Sequence, residues 1–214
     1  MRTFRGRDVR RALAAEVVAE AVGPLSPGCE LFGLNKGQFS MIDLIGHCLE
    51  STGPADVTIA TWTAGGADLE FAYRFLADGR IRSLRFVVDH SFPDMQPGYC
   101  AALRERFGDE AIRLTKTHAK FTVVKNDQWA IAIRSSMNLN ENRRLEFFEL
   151  SDDQALADYL LEVCDSLFVE STAADQWDRS RTEQAFGSWF GNEARARDLR
   201  RAGWTSQKTG KRVG

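Results

Sequence analysis

His118, Lys120, Ser136, Asn138 and Glu146 are the residues of this chain whose types and spacing could do chemistry together. All five fall in THAKFTVVKNDQWAIAIRSSMNLNENRRLEFFEL, residues 117–150. An imidazole is a nucleophile or a proton carrier near neutral pH. An ammonium two residues away supplies positive charge for an anionic oxygen. A hydroxyl and a carboxamide are neutral donors suited to oxygens that gain charge in a transition state. A carboxylate can orient an imidazole by accepting a hydrogen bond from its second nitrogen. Attack by histidine on a phosphodiester uses the whole set.

The stretch reads as strand, turn, strand, polar loop, strand. Side chains alternate across a strand, so a strand over 117–124 puts His118 and Lys120 on one face. Ser136 and Asn138 share a parity on the strand that returns after the turn. A hairpin turning at Asn126-Asp127 with an even loop pairs His118 with Ser135 and sends Ser136 to the far face. An odd loop or a bulge is therefore expected, and a regular even loop counts against the site. Each residue also has a plainer reading. His118 could be a satisfied histidine at a strand end, and Lys120 a solvated edge charge. Ser136 and Asn138 could be turn or cap residues in SSMNLNEN, and Glu146 a partner of Arg143 or Arg144.

The elements that must position this stretch are legible from pattern. Apolar residues recur at helical spacing over 10–22 (Leu13, Val17, Val18, Val22), and Gly23-Pro24 stops them. Residues 29–34 read as a short strand. Ser40 and Asp43 form a capping-box pattern that opens a helix over 41–51. Residues 56–63 read as a buried strand, 67–77 as a helix ending at Asp78-Gly79, and 81–89 as a second strand. A Pro-rich turn leads to a helix over 97–107 that ends at Gly108. Residues 144–150 read as a strand and 152–168 as a helix. Strands alternating with helices predict an α/β fold with a parallel or mixed sheet covered by helices. The organisation expected is an N-terminal amphipathic helix and linker over 1–27, a main domain over 28–170, and a polar to basic extension over 171–214. One aromatic helical piece is expected at about 183–190.

Composition narrows the class. The chain has 214 residues, 43% of them hydrophobic, enough to bury a core. No window approaches 18 consecutive apolar residues, so no membrane span is expected. The basic N-terminus lacks the long apolar run of a secretory signal, because Glu16 and Glu20 interrupt it, so a cytoplasmic location is expected. Cys29, Cys48, Cys100 and Cys164 are far apart and do not cluster with His47, His90 or His118. Free thiols are expected, and neither a zinc site nor a disulfide framework. The net charge of −2 hides an asymmetry: residues 1–11 hold five arginines against one aspartate, and residues 191–214 hold seven basic against two acidic residues. The body between is acidic. The basic ends are either arms that touch phosphates or solvated tails. His47, inside an apolar helix, reads as core packing. His90 sits at a strand end where a minor substrate contact is conceivable. Trp62 and Phe92 sit at similar strand ends, where each can stack a base or fill the core.

At its central residues the sequence resembles the phospholipase D superfamily. HAK at 118–120 matches His-x-Lys, and SMN at 136–138 matches Ser-x-Asn. The preceding LRFVVD and the order of elements also fit, over roughly residues 28 to 168. The chain departs from the pattern at Lys125, which stands where the family has Asp, and at Ser135, which stands where it has Gly. The stretch from Lys120 to Ser136 is three residues longer than the pattern. The resemblance implies a phospholipase D-like mixed β-sheet flanked by helices on both faces, and a metal-independent phosphodiesterase, a nuclease, with no cofactor. Two His-x-Lys motifs form one site in that superfamily, whereas this chain has one. The implied assembly is a homodimer with the site on its twofold axis, and the implied intermediate is a phosphohistidine. The implied roles are His118 as nucleophile or acid, Lys120 and Asn138 holding non-bridging oxygens, Ser136 supporting them, and Glu146 orienting His118. A small phage or bacterial nuclease acting on nucleic acid, DNA ahead of RNA, fits this picture. The changes at Lys125 and Ser135 leave a second possibility, a nucleic-acid-binding or assembly protein that has lost turnover.

Overall fold

The computed structural model describes residues 8–11, 17–140, 143–170, 172 and 177. In chain order the elements are β1 (Asp8–Arg11), α1 (Val18–Val22), β2 (Glu30–Asn35), α2 (Met41–Thr52), β3 (Ala55–Thr61), α3 (Gly66–Ala77), β4 (Ile81–Asp89), α4 (Phe92–Met95), α5 (Pro97–Phe107), β5 (Ile112–Thr115), β6 (Phe121–Lys125), β7 (Ala130–Ser135), β8 (Glu146–Asp152) and α6 (Gln154–Glu170). The eight strands form one mixed sheet in the order β1-β2-β8-β7-β6-β3-β4-β5.

Local chemistry accounts for most of these boundaries. The Ser40 amide donates to Asp43 Oδ2 at 2.7 Å, closing the expected capping box of α2. Gly53 ends α2 and Gly108 ends α5 with positive φ (72° and 77°), a conformation that costs glycine nothing. β3, β4 and β5 pair in parallel through helical crossovers. Their sequences are apolar runs because both faces of such strands are covered. Ile59, Phe86, Val88 and Ile112 are each at most 1% exposed.

Helices cover both faces. α2, α3 and α5 lie over the main core, which Leu44, Ile45, Phe86, Leu103, Ile131 and Phe148 help to fill. α6 covers the other face through Ala157, Cys164 and Leu167 against Val123, Ala130, Ala60 and Val87. Between β2 and β8 the ring of Phe148 lies so close to Gly33 that a Cβ there would sit 2.3 Å from it. Glycine at this position is what lets the two strands carry a phenylalanine inward.

Three expectations need correction. Arg10 and Arg11 are in a strand, not a helix: β1 pairs in parallel with β2, Asp8 opposite Leu31, and α1 takes up Val18–Val22 of the expected span, with residues 12–16 outside the described residues. Pairing satisfies the backbone of the β2 edge, and that requirement outweighs weak helical periodicity. The strand expected from residue 117 begins at Phe121. The hairpin from β6 to β7 has a four-residue loop, 126–129, and a regular ladder from Phe121↔Arg134 to Lys125↔Ala130. The odd loop or bulge is not found. The piece expected at 183–190 lies outside the described residues. Among the described residues, no helix is long and apolar enough to cross a membrane, and all four cysteines are free.

Candidate active site

The five residues singled out by type lie along one end of the sheet. β3 ends there and β6, its antiparallel neighbour, begins there. β7 ends there and β8 begins there. Strand directions, more than ladder register, gather them. His118 and Lys120 precede β6 in extended chain, so strand alternation does not govern their facing. The regular hairpin was expected to count against the site. Its pairing stops at the bond from Ser135 N–H to the Lys120 carbonyl (3.0 Å); beyond it His118 is placed by the loop before β6, and the Ser136 amide donates to the Phe147 carbonyl of β8 (3.2 Å).

The loop before β6 is held from below. The Asp89 carboxylate, at the end of β4, accepts hydrogen bonds from the Thr117 amide (2.9 Å), the Ser91 amide (2.9 Å) and the Ser91 hydroxyl. The Thr117 hydroxyl in turn accepts from the Ala119 amide at 3.0 Å. His118 thus sits between two anchored residues. Burial works against ionisation of Asp89, but the donors from Ser91 and Thr117 outweigh it and hold its carboxyl below the usual range. Asp89 was not among the expected site residues. Its signal was present in LRFVVD, which was read only as fold.

His118 is exposed. Its Nδ1 lies 3.3 Å from Lys120 Nζ, and its ring centroid lies 5.6 Å from that of Trp62, tilted by 48°. The Lys120 ammonium also donates to the His118 carbonyl at 2.9 Å. Among the described residues, no carboxylate lies within ion-pair distance of this ammonium. Partial burial lowers the Lys120 pKa, and the charge of Glu146 pulls against that shift.

Ser136, Glu146 and Asn138 form the other side. The Ser136 hydroxyl donates to Glu146 Oε2 and accepts from the Phe147 amide at 3.0 Å. Glu146 was expected to orient His118, and its near alternative was Arg143 or Arg144. The structure gives it Ser136, because β8 begins beside the end of β7 and brings the two together. Ser135, at the family's Gly position, is buried. Its hydroxyl donates to the Phe147 carbonyl (2.7 Å) and accepts from the Met137 amide (2.9 Å). The chain then crosses to the end of β3, where the Leu139 amide donates to Thr61 Oγ1 (3.1 Å) and the Gly65 amide donates to the Leu139 carbonyl (2.7 Å). Asn138 rides on this crossing, its Oδ1 shielded from solvent and without a hydrogen-bond partner. An unpaired shielded acceptor costs free energy and marks a place where a donor is missing.

The structure therefore brings His118, Lys120 and Trp62 into contact and joins Ser136 to Glu146. Lys120 and Glu146 link the two groups electrostatically, and Asn138 Oδ1 hydrogen-bonds to neither. Lys125 points away, at the opposite end of β6, and pairs with Asp158 at 2.6 Å. His47 is a core histidine, with Nε2 2.7 Å from the Gly23 carbonyl. Phe92 is core at 2% exposure. Among the described residues, no three His, Cys, Asp or Glu side chains are grouped to hold a metal ion.

No family model matches the sequence, and no curated protein matches it. Solved structures are similar to it in fold. NucT from Helicobacter pylori is 13% identical with a TM-score of 0.47, covering 65% of this chain and 96% of its own. Nuc from Salmonella typhimurium, described as a phospholipase D family member, is 14% identical with a TM-score of 0.46, covering 65% and 93%. Polyphosphate kinase from Porphyromonas gingivalis is 13% identical with a TM-score of 0.50; the match covers 81% of this chain and 32% of the kinase.

Proposed function

From a phospholipase D-like mixed sheet flanked by helices on both faces, we propose that this chain is a metal-independent phosphodiesterase, a nuclease, with His118 as its nucleophile. The observation that carries the reading is the pairing of an exposed imidazole with a half-buried ammonium that makes no ion pair among the described residues. A structural lysine is paired or solvated, whereas a half-buried lysine without a counter-charge suits an incoming anion.

In the proposed mechanism the His118 ring nitrogen attacks phosphorus and forms an N–P bond as the P–O bond to the leaving oxygen breaks. The His-x-Lys pattern occurs once in the whole sequence, so the acid comes from a second copy across a twofold axis. The partner's His118 gives its proton to the leaving oxygen, then takes one from water. That water displaces the first imidazole and releases the phosphate product. Lys120 and Asn138 of each copy hold the non-bridging oxygens. Glu146 fixes Ser136, and Asp89 fixes the loop that carries His118. Nucleic acid is the proposed substrate, DNA ahead of RNA.

Hydrolysis of bis(p-nitrophenyl) phosphate in EDTA tests the reading. Wild-type activity is expected to survive the chelator, and His118→Ala to lower it by about 10³-fold or more. The exposed site should leave the melting temperature unchanged. Activity retained by His118→Ala overturns the assignment. A monomeric mass at assay concentration removes the shared site.

A second reading has its own observation. Both hydrogen-bonding capacities of the Ser136 hydroxyl used here are spent within the protein, on Glu146 and the Phe147 amide. A site with one donor withdrawn could bind nucleic acid and turn over slowly. Salt-dependent retention of DNA without cleavage would favour it.

A further inference from the structure

Trp62 is an aromatic side chain that neither the core nor the proposed chemistry uses. It stands directly after β3, between Thr61 and Thr63, which are 1% and 6% exposed, while its own side chain is only half-buried. Phe92, beyond the end of neighbouring β4, goes fully into the core. The chain around Trp62 is pinned: the Thr61 hydroxyl donates to the Thr63 carbonyl (2.8 Å) and accepts from the Leu139 amide. The backbone that carries the indole is therefore held, and the ring's centroid is 5.6 Å from that of His118. A half-exposed flat ring beside a nucleophile offers a face on which another flat group can stack.

Resting on the phosphodiesterase reading, we infer that Trp62 is the platform on which a nucleobase next to the attacked phosphorus stacks. It makes a nucleotidyl phosphodiester the preferred substrate over a diester without a base. Every base has a π face, so the platform selects nucleotides without selecting sequence. A diacylglycerol phosphodiester has no flat group to place there.

The test compares thymidine 5′-(p-nitrophenyl phosphate) with its abasic analogue, 1,2-dideoxyribose 5′-(p-nitrophenyl phosphate). The two share a leaving group and differ in the base. Wild type is expected to favour the nucleotide ester in kcat/KM. Trp62→Ala is expected to shrink that preference about tenfold, chiefly through KM, and Trp62→Phe to keep most of it. Proportional loss on both esters in Trp62→Ala would show that the indole only supports His118, and would overturn the inference. So would a wild type with no preference. Hydrolysis of neither ester by wild type defeats the phosphodiesterase reading instead. Stacking is then read by titrating thymidine 3′,5′-bisphosphate against its abasic deoxyribose analogue. Base-dependent binding lost in Trp62→Ala supports the platform, and equal binding of the two compounds overturns it.

Discussion

The two ends of the sheet treat positive charge in opposite ways. At the end where β3 and β4 begin, a cleft of about 330 Å³ is lined by Asp56, Arg82, Arg85 and Lys125. Every one of those cations has a carboxylate: Arg82 with Asp56 (2.7 Å), Arg85 with Asp165 (2.6 Å), Lys125 with Asp158 (2.6 Å). At the other end, the ammonium of Lys120 touches an imidazole and a carbonyl. The first end is neutralised structure. The second keeps a cation partly desolvated with no ion pair among the described residues. Lys120 and Lys125, five residues apart at either end of one short strand, thus differ in whether a carboxylate is in contact.

The largest expected difference comes from removing each charge in turn. Lys120→Met should lower kcat/KM on a phosphodiester by about 10²–10³-fold. It should leave stability unchanged or raised by up to about 1 kcal/mol, since an unpaired, half-buried charge is lost. Steady-state kinetics beside chemical denaturation reads both. A large loss of stability would mean that Lys120 belongs with the paired cations after all.

A smaller loss is expected at the support beneath the site. Asp89→Ala removes the acceptor of three hydrogen bonds and frees the loop before His118. It should cost about 2–3 kcal/mol of stability and at least about tenfold in kcat, with His118 misplaced rather than removed. The folded pKa of Asp89 lies below its ordinary value, so its stabilisation is present above that value and fades as the carboxyl protonates. The stability gap between wild type and variant should therefore narrow below about pH 4. A gap that stays constant into acid would show that Asp89 acts by packing alone.

The pH profile sharpens the comparison further. Lys120 must be protonated to hold an anion, and burial lowers its pKa, so activity should fall on an alkaline limb that begins below the ordinary lysine range. Glu146 pulls that pKa upward. Glu146→Gln should move the limb to lower pH, and a limb that stays or moves up would disconnect the two residues. The smallest effect belongs to the other end: Lys125→Met breaks an exposed pair and should cost under about 1 kcal/mol with activity intact.

Much of this was legible in residue order. The Ser40–Asp43 box, the apolar β3 and β4 runs and the glycine stops at 53 and 108 are local signals, and the structure places elements where they point. Asp89 was in view as the last residue of LRFVVD. Its role was not, because accepting from the Thr117 amide joins residues 28 apart in sequence. The partner of Glu146 was missed for the same reason: nothing in RRLEFF says that β8 will start beside Ser136 rather than beside His118.

The sequence by itself determined the α/β class and most of the element types, since periodicity and capping are properties of neighbours along a chain. Only the tertiary structure decided that β8 lies between β2 and β7, that β1 completes an edge, and that the loop before β6 carries His118 and Lys120 to the end of the sheet where the start of β8 sets Glu146 beside Ser136. Strand order and loop anchoring are set by contacts between residues distant in sequence, and whether a lysine finds a carboxylate depends on those contacts.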